Sequence, residues 1–473
     1  MEVKAIRVNT HIRVYWILFL LSCLCCNRSQ STSQYASLRE SVNSFVKDSV
    51  YTAVLSRSGA GVSYSLLLPS SYDPQKKHPL FLFLDPHADG ALPICKYRML
   101  ASTFDAVCIG SNNAKNGMSA EQAISFVKSS LADAISRFSI DEHAVFLVGF
   151  SGGARLAGTL VAHGFPVAGI IACSAAIPIS TSLKHIPVCL VAGLDDANLS
   201  EQLELEEALI QQKQTPVLYC FKGGHHWVSD TVMQQAMRTV LYRHLAADIP
   251  DSWCSAYEVD FGHRAQAFAD LNDALNLHRL CEERKQLLLK NKRDDNDRFY
   301  QLDEANRVSG RLDAERQHWQ SILAEEVQRK NKYVQNLNEK DLTFWRLELQ
   351  KLKSAAQANE DTYHMNQRLL GWLGLVLYSF SSRAVHDGLA DADRLVAIYH
   401  LLEPMNAEAD YLQSILMARK GASAADVTKQ LLMAVSHGFS EPDRLASEAD
   451  FVKYAQDADF QGMLAALKAN HAH

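Results

Sequence analysis

Seven short apolar runs punctuate the first half of the chain, at residues 64–68, 79–84, 106–109, 145–148, 167–172, 188–191 and 217–221. Several show little alternation of apolar and polar positions, the pattern of strands covered on both faces. Amphipathic segments of helical length follow at 120–137, 155–162, 201–212 and 231–244. Alternation of strand and helix predicts an α/β fold. Its sheet is mostly parallel, with right-handed crossovers and flanking helices.

After Pro250 the strand signal fades. Residues 263–360 are charged and helical, with Val308, Leu312, Trp319, Leu323 and Val327 at helical spacing. The Arg and Glu runs there read as solvated faces of long antiparallel helices with some coiled-coil character. From 361 the helices shorten. The apolar run 369–380 is too short to span a bilayer and reads as a buried helix. Ala397, Tyr399, Leu402, Pro404 and Asn406 resemble the end of a tetratricopeptide repeat, followed by a helix pair at 411–419 and 424–437. The resemblance is degenerate, and a plain helical bundle is the alternative. It implies helix pairs stacked as a scaffold or a protein- or peptide-binding surface. The expected order is an α/β domain at 50–250, long charged helices at 251–360, and an all-α, repeat-like domain at 361–473.

The start of the chain has a different logic. Lys4, Arg7 and Arg13 precede a short apolar stretch at 14–21, and Ser22 then precedes Cys23. This is the three-part plan of an export signal, here residues 1–26. Leu20, Leu21, Ser22 and Cys23 resemble the lipobox of bacterial lipoproteins. The resemblance implies lipidation at Cys23, a membrane anchor and a place in the cell envelope. A polar tether and lead-in follow over 27–49.

The composition narrows the class further. The chain has 473 residues, 48% of them hydrophobic and 21% charged, with a net charge of −6. This excludes a mainly disordered chain. The mild acidity and the lack of a basic block give no footprint for nucleic acid. Of ten cysteines, Cys23, Cys25 and Cys26 lie in the export segment; the other seven keep no fixed spacing. A disulfide framework or a cysteine-ligated metal is therefore not expected, with a single bridge left open in an oxidising envelope. No cofactor is expected.

The chemistry is concentrated on three loops. The apolar run ending at Val148 enters Gly149-Phe150-Ser151-Gly152-Gly153, and a helical pattern follows at once. Gly-x-Ser-x-Gly between strand and helix suits a nucleophile on a tight turn, where neighbours must be small. The run ending at Ala192 enters Gly193-Leu194-Asp195-Asp196, and the run ending at Phe221 enters Gly223-Gly224-His225-His226-Trp227. A serine nucleophile needs a base, and the base needs an orienting carboxylate. Candidates for both follow the C-terminal ends of strands, where open α/β sheets place their reacting groups.

With this order of serine, aspartate and histidine, residues 50–247 resemble an α/β-hydrolase domain of the esterase kind. The resemblance implies Ser151 as nucleophile, Asp196 in preference to Asp195 as the acid, and His225 in preference to His226 as the base. It also implies an oxyanion hole of two backbone N–H groups, one from Gly152. The other comes from the loop Asp85-Pro86-His87-Ala88-Asp89-Gly90, which departs from the His-Gly common in the family. Pro86 has no N–H, so His87 is the expected donor. Ser111, Asn112 and Asn113 end near the same face and are candidates for contact with substrate. Little chain is available for a large lid, which points to an open site for short acyl groups or for esters on larger carriers.

The function expected is that of an exported, lipid-anchored serine hydrolase acting on an ester or acylated substrate. A peptidase is the near variant. The alternative is an envelope scaffold in which the helical half carries the function.

Overall fold

The computed structural model describes residues 45–245, 248–287, 298–354 and 359–471. Cys23 and the rest of the export signal lie outside the described residues. The chain divides into two compact units between Gln320 and Ser321.

The first unit is built on an eight-stranded sheet: β1 (Val50–Leu55), β2 (Ser63–Leu67), β3 (His78–Leu84), β4 (Val107–Ser111), β5 (Ile140–Phe150), β6 (Gly169–Cys173), β7 (Val188–Gly193) and β8 (Val217–Phe221). Their spatial order is β1-β2-β4-β3-β5-β6-β7-β8. β1 with β2 and β2 with β4 are antiparallel pairs, and the remaining pairs are parallel.

The weak polar alternation of the strands has a direct cause. Along β3, Leu80, Leu82 and Leu84 enter one apolar core, while Phe81 and Phe83 enter another across the sheet. In β7, Val188, Leu190 and Ala192 face the first core and Cys189 and Val191 the second. Both faces are dry, so neither set of positions is polar. Helices α1 (Ala91–Lys96), α2 (Arg98–Thr103), α3 (Ala120–Arg137), α4 (Gly152–Ala162), α5 (Leu199–Gln211) and α6 (Asp230–Leu245) supply the covers. Residues of α3, α4 and α5 fill the first core, and residues of α1, α2 and α6 the second.

β1, α1 and α2 do not emerge from the sequence pattern. β1 is an edge strand with Thr52 and Ala53 exposed, so its apolar signal is thin. α1 and α2 have six residues each, too few to display a helical period.

The composition change at Pro250 does not coincide with the division between units. Helices α7 (Asp251–Asp270), α8 (Ala274–Leu287) and α9 (Arg298–Val308) bring Tyr257, Phe261, Leu280 and Phe299 into the second core of the sheet. Arg279 of α8 pairs with Glu206 of α5 at 2.5 Å. These helices complete the cover of the α/β unit.

α10 (Arg311–Glu339) runs through the division. The second unit continues with α11 (Leu342–Ser354), α12 (Glu360–His386), α13 (Ala392–Leu402), α14 (Ala407–Arg419), α15 (Ala424–Ser436), α16 (Pro442–Ser447) and α17 (Ala458–His471). Asn359, Asn406 and Ser423 cap α12, α14 and α15 with side-chain oxygens, which explains where these helices begin. In α12, Leu369, Leu373 and Leu377 are buried in the core of this unit. Among the described residues no helix is long and apolar enough to cross a membrane. A cavity of about 490 Å³ in this unit is lined by α11 and Leu401.

The apolar stripe expected over 308–327 is only partly kept. Leu312 is buried, but Val308 at the end of α9 and Val327 on α10 are exposed, whereas Ile322, Tyr333 and Leu337 of α10 are buried. The buried face also carries Glu326 and Lys330, paired at 2.7 Å, and Glu326 accepts from Arg368 Nε at 2.7 Å. Charged residues satisfied by one another occupy positions that a hydrophobic pattern assigns to solvent.

Candidate active site

β5 ends at Phe150, and Ser151 turns the chain into α4 with φ 53° and ψ −119°. A side chain with a Cβ rarely adopts that conformation. The Ser151 N–H is held by Cys173 O at 2.9 Å, and α4 begins immediately. Close packing explains the flanking glycines. A methyl group on Gly153 would stand 1.9 Å from Leu84 O, and one on Gly149 would stand 2.4 Å from Ala154 N.

Asp196 lies just past β7 and is 1% exposed. Its Oδ1 accepts the Asn198 N–H at 2.9 Å, which holds the carboxylate in its loop. Asp195 is half-buried, and its N–H donates to Gly223 O at 2.9 Å, joining the two loops beyond β7 and β8. His225 follows β8. Its Nδ1 lies 3.0 and 3.1 Å from the two Asp196 carboxylate oxygens, and its Nε2 lies 2.9 Å from Ser151 Oγ. A carboxylate only accepts, so the neutral imidazole carries its proton on Nδ1 and presents an Nε2 lone pair to the serine hydroxyl. The imidazole is 39% exposed, so the serine and its base meet at an open surface. His226 turns away and donates from Nδ1 to Trp227 O at 3.0 Å.

Aromatic packing fixes the base from behind. The His225 ring lies 4.9 Å from Phe150, and Phe150 lies 5.3 Å from Trp227. Trp227 Nε1 donates to Asp85 Oδ2 at 2.9 Å. The loop after β3 is thereby tied to the loop carrying the histidine.

The loop after β3 differs from its expected role. The His87 N–H donates to Asp85 Oδ1 at 2.8 Å within its own turn. The oxyanion donor assigned to His87 is therefore engaged by the aspartate that replaces the family's usual histidine, and the His87 side chain is largely exposed. Asp89 accepts the Leu92 N–H at 3.1 Å at the start of α1. The other polar candidates also have structural partners. Asn112 Nδ2 donates to Thr52 O at 2.8 Å, and Asn113 Oδ1 accepts the Ser63 N–H at 2.8 Å. Ser111 Oγ accepts the Ala114 N–H at 3.2 Å. These three residues brace β1, β2 and the end of β4.

A residue outside every motif does come to the glycine after the serine. Asn116 donates its N–H to Pro86 O at 2.8 Å, and its side chain lies against Gly152. No local signal marks it, because a loop contact between distant segments brings it there.

Among the described residues, His278, Glu282 and Asp303 bring ligand-type atoms within 4.8 Å of one another. His278 Nδ1 already donates to Asp303 at 3.1 Å, which accounts for the cluster as a histidine–carboxylate contact. The seven described cysteines are thiols. Burial pushes Cys108 up to about 12 and raises Cys173 as well, so both stay protonated and unreactive.

Residues 70–245 match the family model of phospholipases and carboxylesterases. They form a carboxylesterase-like α/β-hydrolase domain. The sheet also resembles solved structures at low identity. An S-formylglutathione hydrolase from Staphylococcus aureus is 12% identical with a TM-score of 0.35, the match covering 41% of this chain and 99% of that one. An S-formylglutathione hydrolase from Agrobacterium tumefaciens is 14% identical with a TM-score of 0.33, covering 41% and 93%. The feruloyl esterase module of Clostridium thermocellum, complexed with sinapinate, is 14% identical with a TM-score of 0.32, covering 46% and 94%. No curated protein matches the chain.

Proposed function

We propose that the chain is an exported serine hydrolase of carboxylic esters, anchored to a bacterial membrane through a lipid on Cys23. The observation that carries the catalytic part is the unbroken line of contacts from Ser151 Oγ through His225 to Asp196, at 2.9 and 3.0 Å. The anchor rests on the lipobox-like residues that end at Cys23.

The chemistry follows from those contacts. Ser151 Oγ attacks the ester carbonyl carbon while His225 Nε2 takes the hydroxyl proton. The carbonyl π pair moves onto oxygen, and the Gly152 N–H at the start of α4 donates to it. As the carbonyl re-forms, the bond to the alkoxy group breaks, and His225 returns the proton to the departing alcohol. Asp196, buried and accepting from Nδ1, keeps the tautomer correct and stabilises the imidazolium. Water then repeats the sequence on the acyl-enzyme and releases the acid. The 39% exposure of the imidazole suits esters whose alcohol part extends into solvent.

The test is covalent labelling with a fluorophosphonate, together with turnover of 4-nitrophenyl acetate by the full chain in detergent. The parent is expected to label and turn over, and Ser151→Ala is expected to do neither. A folded parent that fails at both would sink the reading. Growth with a radiolabelled fatty acid tests the anchor, since Cys23→Ala should carry no label and should leave the membrane fraction.

A further inference from the structure

An oxyanion hole normally offers two donors to the developing charge. The loop after β3 has none to spare in its first residues. Pro86 lacks an N–H. The His87 N–H is bound to Asp85 Oδ1 at 2.8 Å, and the Ala88 N–H to Asp85 O at 3.1 Å. Gly152 supplies one donor, because an N–H in the first turn of a helix has no partner within that helix. The main chain around the serine thus accounts for one donor.

Asn116 borders the turn that follows the nucleophile. Its backbone N–H is fastened to Pro86 O at 2.8 Å, in the loop whose first residues have no donor to spare. A methyl group on Gly152 would lie 1.7 Å from Asn116 Oδ1 and 3.0 Å from Nδ2. The amide therefore borders the residue whose N–H faces the oxyanion. Its side chain makes no hydrogen bond to another described residue, and Asn116 is exposed. The two ends of the amide exchange by a half-turn about the Cβ–Cγ bond, so either presents Nδ2 without moving the backbone.

We propose that Asn116 is a catalytic residue, its Nδ2–H being the second oxyanion donor beside the Gly152 N–H. The inference rests on the hydrolase reading above. As Ser151 Oγ bonds to the carbonyl carbon and the π pair shifts to oxygen, Nδ2–H hydrogen-bonds to that oxygen and keeps its proton. The arrangement also accounts for glycine immediately after the nucleophile, because any Cβ there would displace the amide.

The test compares the full-length parent with Asn116→Ala and Asn116→Asp on 4-nitrophenyl acetate and on its thiono analogue. Removal of one oxyanion donor lowers kcat by about 10²- to 10³-fold. That loss is expected for Asn116→Ala, with KM changed only severalfold and the thermal midpoint close to the parent's. Asn116→Asp keeps the shape but sets a negative charge against the oxyanion, so its loss should be larger. Both variants should also lose part of the parent's preference for the oxygen ester over the thiono ester, because sulfur accepts hydrogen bonds poorly. A purely structural role would not move that preference. An active parent whose Asn116→Ala variant keeps kcat within threefold and the same preference overturns the proposal. A folded parent that neither turns over nor labels at Ser151 overturns the hydrolase reading instead, and this proposal falls with it.

Discussion

Trp227 donates its indole N–H to Asp85 Oδ2 at 2.9 Å, joining residues 142 positions apart in the chain. Asp85 is 4% exposed and also accepts the His87 N–H, so one carboxylate holds the loop after β3 and the loop of His225 together. Asp85→Ala strands the buried Trp227 indole N–H, at about 1–3 kcal/mol, and releases the part-buried His87 N–H. A lower thermal midpoint and a lower kcat/KM are expected together. Trp227→Phe keeps most of the ring and removes one donor, so it should cost less. Equal midpoints for Asp85→Ala and the parent would contradict the role given to this contact.

Ser151 trades stability for position. Its φ of 53° and ψ of −119° are conformations that glycine reaches freely. Relief of such strain is worth about 1–3 kcal/mol, against roughly 0.5–1 kcal/mol of extra chain entropy for glycine. Ser151→Gly should therefore be inactive but about 1 kcal/mol more stable, as read by urea unfolding.

Acid stability is expected to depend on Asp133. Burial alone would raise its carboxyl, but hydrogen bonds from Tyr64 and Arg57 and the Arg137 guanidinium outweigh this and hold it below the ordinary range. A group lowered on folding adds stability above its unfolded value, near 4, and loses it as pH falls through the folded value. Asp133→Asn should flatten the decline in stability below pH about 4. It should also lower stability at neutral pH. An unchanged acid limb would count against this assignment.

In the second unit, Arg368 is 0% exposed and donates to Glu326, which also pairs with Lys330. Arg368→Ala removes the largest partner of a buried carboxylate, which typically costs about 3–5 kcal/mol. Calorimetry should show the loss, and Glu326→Gln combined with Arg368→Met and Lys330→Met, which leaves no buried charge unpaired, should recover much of it. Equal stability of Arg368→Ala and the parent would show that the pair contributes little.

Much of the α/β architecture is legible because its strands are dry on both faces, as Phe81 and Leu82 illustrate by entering opposite cores. Ser151, Asp196 and His225 could be singled out because each lies on the loop just past a strand's C-terminal end. Asn116 could not, since only the tertiary approach of Pro86 O brings it to Gly152. The engagement of His87 depends on the direction of the Asp85 side chain, which a motif does not encode. The buried face of α10 does not show in the hydropathy pattern, which cannot tell a solvated Glu326 from one neutralised by partners.

The cover provided by α7, α8 and α9 bears on how such a chain evolves and how it can be cut. The stretch matching carboxylesterases ends at residue 245, yet Tyr257, Phe261 and Leu280 lie in the same core as Val191 and Met237. A recombination event or protease that severed the chain at Pro250 would leave an apolar wall facing water, an invitation to aggregate. The exchangeable cassette reaches at least to α9, so a transplant of the α/β domain into another protein must carry those helices as cargo.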